Sequence, residues 1–481
     1  RHVAQVGAAI GRDFSHELLR AVAEQPAATV DQGLAELVRA GLVLARGAPP
    51  DARYSFKHAL VQDAAYASLL RGERRRLHAR IVAVLERGDA DGADDAPELL
   101  ARHCAEAGLD AKAAAAWLRA GTAALHRAAI AEALAHLAHG LTAAAAMEEG
   151  EARRRLELDL WIARIKALMS AEGHASRHLH EAFRHAQDLC EQLGAASQLV
   201  TVLYGQWSHA FVRGDFAEAL RQAHGLLALA DTRGDTVCRL IGLLAAGLTS
   251  LPMGAYADVR GHLTQGLALF DPQQRAAYAA PVIGDPRVLM LDYLAWGLMC
   301  EGRIGESRRA IETAIAEARA LGQVWTLAQS LSSAAFFAAT LDSAEAGLRW
   351  AEELRQIANE HGLAYFAASA AGLVGWCLAL RGEPQQGCAL LRKAGDGLRD
   401  AGSLLWVPSF IRMEAEAIGA MGRIEDAHAR LDEAFALAAD TGAYWDLPEL
   451  HRVRGGLFAA AADPGAAERA LRQAVSSAQT L

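Results

Sequence analysis

A histidine stands at the joint between a strand-like and a helix-like run in "YSFKHALVQDAAYASLL", Tyr54 to Leu70. An imidazole at such a joint can act as a catalytic base, a metal ligand, a contact to a nucleotide phosphate or a core side chain, so His58 has to be read against its surroundings. The chain holds 18 histidines. In "GHASRHLHEAFRH", His174 and His178 fall at i and i+4 on one helical face, a spacing that can seat a metal; no HExxH frame and no nearby cysteine completes a ligand set. No metal site is expected. The six cysteines (Cys104, Cys190, Cys238, Cys300, Cys377, Cys388) are scattered without a CxxC pair, which suits reduced thiols in a cytoplasmic protein. No P-loop, no GxGxxG after a strand, no GxSxG elbow and no paired-carboxylate loop occurs. The chain is therefore expected to be non-catalytic, with no cofactor of its own.

The run "RGERRRLHAR" packs five arginines into ten residues. It reads either as a phosphate-contacting patch or as a solvated helix face with Leu70, Leu77, Ile81 and Val84 turned inward. The second reading is the commoner fate of a short charge run. A formal net charge of -9 offers no general footprint for nucleic acid or an anionic membrane. Two uncharged stretches, Ala320 to Leu341 and Gly362 to Leu380, reach spanning length. They are rich in Ala, Gly, Ser and Gln, and charged amphipathic helices follow them, so buried helices of a repeat array are expected and no membrane contact is.

The elements that must position these residues come in two grammars. Over the first ninety residues, Val3, Val6, Ala9 and Ile10 predict a short helix; Ser15 can cap a second, and Thr29 a third ending at Gly41. A hairpin follows: "LVLARG", a turn in "APPD", then "RYSF". Three helices and a two-stranded wing describe a winged helix, over residues 1–88.

From about residue 190 the chain repeats. Gly194 and Gly234 stand 40 apart, and Gly322, Gly362, Gly402 and Gly442 keep that step. A second series, Gly214, Gly254, Gly302, Gly382 and Gly422, lies half a period away, with Asp342 in its vacant slot. A helix commonly closes on a residue that tolerates the left-handed conformation, so two marks per period mean two helices per repeat. Start signals agree with the stops: Pro384 opens one helix, and Asp463 can cap another before Pro464. The phase breaks once, where "DPQQRAAYAAPVIGDP" inserts roughly eight residues, and a loop or lid is expected near 271–286. Less regular pairs over 97–150 open the array, which then fills 151–481. The expected fold class is all-α, an α-solenoid behind a winged-helix-like domain. Aromatics keep register too. Trp296, Phe336 and Trp376 each sit six residues before a mark, while Trp325, Tyr365, Trp406 and Trp445 follow the other marks by three or four. With Trp207 the first set could line a ligand groove; the alternative is that these rings fill the gap between successive pairs.

The pattern "GDFAEALRQAHGLLALA", Gly214 to Ala230, with small residues where paired helices touch, resembles the tetratricopeptide class in a long-helix variant. That resemblance implies a concave surface holding a peptide, a protein segment or a small effector. Phe56-Lys57-His58-Ala59-Leu60 resembles the end of the winged helix in signal-transduction ATPases with numerous domains, where the motif reads Met-His-Asp-Leu. There the histidine reaches the β-phosphate of ADP. Here His58 and Leu60 match, while Lys57 and Ala59 depart from the motif. The longer block "AAIGRDFSHELL … LAELVRAGLVLARG … YSFKHALVQDAAYASLL" with "RRRLHARI" is similar to bacterial proteins in which a class III adenylyl cyclase domain and an ATPase module precede such a region. A cousin arrangement ends in a LuxR-type DNA-binding domain. Since the sequence begins with Arg1 and carries neither a cyclase nor a P-loop, it is read as a piece of a longer chain. The resemblance implies ATP or ADP on an upstream nucleotide-binding domain in cis, with an output domain elsewhere. A stand-alone interaction scaffold is the remaining alternative.

Overall fold

In the computed structural model, residues 1–87, 97–127, 129–172, 177–341 and 343–481 are described. They divide into two compact units: Arg1–Ala171 with Arg184–Leu193, and Glu172–Phe183 with Gly194–Leu481.

The first unit opens with α1 (His2–Ile10), β1 (Asp13–Ser15), α2 (His16–Ala23), α3 (Ala27–Arg39), β2 (Val43–Arg46), β3 (Arg53–Phe56), α4 (Ala59–Ala67) and α5 (Arg71–Glu86). Val6, Leu19, Val22, Val30, Leu34, Phe56 and Ile81 are buried together and form its core. Ser15 caps α2, accepting a hydrogen bond from the Leu18 amide at 3.1 Å. Thr29 is not a cap: α3 starts earlier, and the Pro26 carbonyl accepts from the Thr29 and Val30 amides. Proline supplies a helix-ready φ and needs no partner for a missing N–H. The hairpin is extended by a third strand, giving the antiparallel order β1-β3-β2 with Phe14 opposite Tyr54. The run Asp13–Ser15 is too short to show an alternating pattern, which is why sequence missed it. Longer helices follow: α6 (Pro97–Ala107), α7 (Asp110–His126), α8 (Ile130–Ala145), α9 (Glu151–Glu172) and α10 (Arg177–Leu193), of which only residues 184–193 belong to this unit.

The second unit is the repeat array: α11 (Ala196–Val212), α12 (Phe216–Arg233), α13 (Thr236–Ser250), α14 (Tyr256–Leu269), α15 (Arg275–Ala279), α16 (Pro286–Cys300), α17 (Ile304–Leu321), α18 (Val324–Leu341), α19 (Ala344–Glu360), α20 (Ala364–Leu380), α21 (Pro384–Asp400), α22 (Val407–Ala420), α23 (Ile424–Thr441), α24 (Leu447–Ala460) and α25 (Pro464–Thr480). It is a tetratricopeptide-like α-solenoid, and the glycine lattice marks its turns. Gly234 shows why: it closes α12 at φ 63°, its N–H on the Ala230 carbonyl, a conformation that costs a Cβ-bearing residue about 1–2 kcal/mol. Asp342 lies outside the described residues. Pro384 begins α21, and the Asp463 carboxylate accepts from the Ala466 amide at 2.9 Å.

Alternate helices do different work. In α12 and α23 only a stripe of small and apolar residues is buried, whereas α13, α16, α18 and α20 are buried on most sides. That accounts for the two uncharged stretches. Among the described residues one helix, Val324–Leu341, is long and apolar enough to cross a membrane, and 61% of that window is buried inside the structure. The phase break is a packed segment: Tyr278 is fully buried against Phe270, and Arg275 reaches the Asp285 carboxylate at 2.7 Å.

Candidate functional site

His58 occupies the N-cap position of α4 in extended conformation, makes no capping bond, and is exposed. The strand end is held by the Lys57 amide donating to the Leu42 carbonyl at 3.0 Å, and α4 starts with the Val61 amide on the His58 carbonyl at 3.1 Å. The ring is thus no core side chain. Leu60, one position inside the helix, is 81% exposed, and Leu42 and Leu44 are exposed as well. A large apolar side chain in water contributes nothing to the unit's own stability.

Of the five arginines in the basic run on α5, two are committed to structure, while Arg71, Arg75 and Arg76 are exposed; Leu77, Ile81 and Val84 face inward as expected, but Leu70 does not. Arg74 lies over the Tyr66 ring at 4.6 Å and donates to the Ala67 and Leu69 carbonyls; Arg80 pairs with Glu24 at 2.8 Å. The same helix carries a polar chain that sequence reading did not find. His103 Nδ1 and His78 Nδ1 are 2.9 Å apart, His78 Nε2 is 2.9 Å from the Tyr66 hydroxyl, and that hydroxyl donates to Glu106 at 3.2 Å. One proton per link fixes the direction: Tyr66 gives its proton to Glu106, so His78 donates through Nε2 and accepts at Nδ1 from His103. Burial and the neighbouring His78 lower His103 to about 3; burial lowers His78 as well. Both rings are neutral at pH 7. Its two histidines stand in "LHAR" and "RHC", 25 residues apart, with no local spacing to betray the link.

Of the two histidines at i and i+4, His174 lies outside the described residues and His178 is exposed on α10. Among the described residues no group of three or more His, Cys, Asp or Glu side chains gathers to hold a metal. Burial pushes the thiols of Cys104, Cys190, Cys238, Cys300 and Cys377 up to about 11, far from nucleophilic range at neutral pH.

The four groove candidates, Trp207, Trp296, Phe336 and Trp376, are buried, and three of them meet. Trp296 lies 4.9 Å from Phe336, and Phe336 5.5 Å from Trp376, on α16, α18 and α20. Trp406 and Trp445, from two connectors, close over them: Trp296 is 4.8 Å from Trp406 and stacks on Trp445 at 5.8 Å. The rings leave a cavity of about 30 Å³, lined also by Ser332, Ser369 and Ser409, room for about one water. Trp207 sits apart from this cluster, its Nε1 donating to Thr249 Oγ1 at 2.9 Å and its ring stacked on Phe211. The indole nitrogens of Trp296 and Trp376 are buried without a partner among the described residues. One turn before Trp296, Asp292 is fully buried; burial raises its carboxyl to about 8, and the Ser330 hydroxyl, donating at 2.9 Å, opposes the rise. It is neutral at pH 7.

No family model matches the chain. An uncharacterised protein of Rhizobium meliloti (strain 1021) is 26% identical over 487 residues, an alignment covering all of this chain and 47% of that protein. The chain thus spans about half the length of the curated relative it matches. Among solved structures, a Rap protein complexed with competence and sporulation factor is similar, with a TM-score of 0.55 and 12% identity, over 77% of this chain and 98% of that one. A signal transduction ATPase with numerous domains that bears a tetratricopeptide repeat sensor, from Pyrococcus horikoshii, aligns over 100% of this chain and 63% of its own, at 10% identity and a TM-score of 0.40. The Rap likeness is one of fold: a helical repeat array of tetratricopeptide type.

Proposed function

We propose that the chain is the non-catalytic, partner-binding regulatory region of a cytoplasmic, multidomain bacterial signalling ATPase of the kind linked to adenylyl cyclase domains. In this reading residues 1–88 form a winged-helix domain that gates nucleotide state, 97–150 open the array, and 151–481 bind a protein segment or small effector on the inner face through the Trp207, Trp296, Phe336 and Trp376 positions. His58 reaches the phosphate of ADP held by an upstream domain. A ligand of the array shifts that contact only as far as it prefers one arrangement over the other.

The observation that carries the reading is the joint at His58. An unbonded histidine and an 81% exposed leucine stand side by side at a helix start, where the fold itself uses neither. Such a pair suits a surface completed by another domain. The test is ADP retention through gel filtration in a longer protein that includes the nucleotide domain. Retention by the unaltered protein and loss in His58→Ala is the expected result; equal retention in both contradicts the role given to His58.

A further inference from the structure

The inner face of the array is filled by the chain's own connectors, in a manner that specifies what a partner would look like. Two positions one repeat apart offer carbonyls to the connectors: Val212, the last residue of α11, and Pro252, in the turn that follows α13. Each accepts from a backbone amide far along the chain: Leu404 N–H on Val212 O at 2.9 Å, and Trp445 N–H on Pro252 O at 3.1 Å. The Tyr256 hydroxyl then donates to the Trp445 carbonyl at 3.2 Å. Gly214 permits the approach, since a Cβ there would stand 3.0 Å from Thr441 Cγ2 and 3.2 Å from Leu404 Cβ. The acid after Trp445 is gripped as well: Asp446 takes two contacts from Arg412 Nε at 3.0 and 3.1 Å, both side chains 3% exposed.

The connector, a single turn of 3-10 helix at Tyr444–Asp446, is therefore held as a short turn-forming peptide is held in a groove, by a main-chain bond at each edge, an aromatic ring in a stack and a carboxylate on a buried arginine. The stack is left incomplete, because the Trp296 and Trp376 nitrogens find no acceptor among the described residues. Buried donors of this kind are normally satisfied.

We propose that Ala443–Asp446, together with Ser403–Trp406, is an internal occupant of the array's binding face, and that the partner it stands in for is a short turn-forming peptide presenting an aromatic residue followed by an acidic one. This rests on the reading of the inner face as the partner site. Opening the connectors exposes the Val212 and Pro252 carbonyls, the Trp296 ring and Arg412 together, so the partner binds by competition with the chain itself.

The test uses the chain's own segment, a labelled peptide of residues 441–448, TGAYWDLP. It is titrated by anisotropy against the unaltered protein and against Trp445→Ala/Asp446→Ala. The doubly substituted protein is expected to bind it at least tenfold more tightly, and to ignore the same peptide with alanine at the tryptophan. A variant with unchanged helical circular dichroism and no gain in binding overturns the proposal. Should the variant not fold, hydrogen exchange of the unaltered protein decides: amides over 403–406 and 443–446 exchanging before those of α16 and α18 support an opening clasp, and exchange together with them overturns it. Either failure leaves the ADP test of His58 untouched, and failure of that test leaves this one untouched.

Discussion

Both units bury apolar cores, but the side-chain networks beside those cores differ in chemistry. In the first, a one-way chain of hydrogen bonds runs from His103 through His78 and Tyr66 to Glu106, between helices of irregular spacing. In the second, rings contributed at a fixed step pack into a single aromatic cluster closed by Trp406 and Trp445. A period builds a surface whose positions are equivalent, so one recognition chemistry can be offered by successive repeats. An irregular unit offers one joint, used once, and His58 sits at it.

Removing a buried ionic partner should separate the units most strongly. Asp446→Ala strands the Arg412 guanidinium, 3% exposed, and should cost about 3–5 kcal/mol in urea unfolding, most of it recovered in Arg412→Met/Asp446→Leu. The matching change in the first unit, Asp31→Ala, removes a half-exposed partner of His16 and should cost about 1 kcal/mol or less. A result in which Asp31→Ala is the costlier breaks the comparison. Phe336→Ala, which empties the centre of the ring cluster, should cost about 3–5 kcal/mol.

Titration should sharpen the contrast at two sites, because His103 in the first unit and Asp292 in the second respond to pH with opposite sign. His103 is held near 3 in the fold against about 6.5 unfolded, so the unfolded chain binds more protons between those values. Stability from this site is full above about 6.5 and falls as pH drops toward 3, by up to a few kcal/mol. Asp292 is held near 8 against 3.8, so the folded chain binds more protons, and its contribution falls as pH rises from about 4 to about 8. Melting curves across pH should lose the acid limb in His103→Leu and the alkaline decline in Asp292→Asn. The smallest effect expected is at a helix cap: Ser15→Ala should cost about 1 kcal/mol by the same urea assay.

The array was legible because its signals are local and repeated. Gly234 and Gly442 announce helix ends from their own backbone needs, and Asp463 announces a start three residues ahead of the amide it caps. What could not be read depends on chain segments far apart. Nothing near Val212 marks it as the acceptor of Leu404, and nothing near His78 names His103 as its partner. Trp445 looked like one more ring in register, whereas its place over Trp296 follows from how α23 and α24 are joined. At the His58 joint, local pattern located the residue and its helix, while its exposure and that of Leu60 are tertiary facts.

In the proposed function the array and the His58 joint are two ends of one switch. Hydrogen exchange over residues 57–60, in a longer protein carrying the nucleotide domain, tests it most directly. With ADP bound, protection of this segment is expected, and loss of that protection when the aromatic–acidic peptide of residues 441–448 is added to the Trp445→Ala/Asp446→Ala form. Exchange at 57–60 that ignores both ADP and the peptide would contradict it.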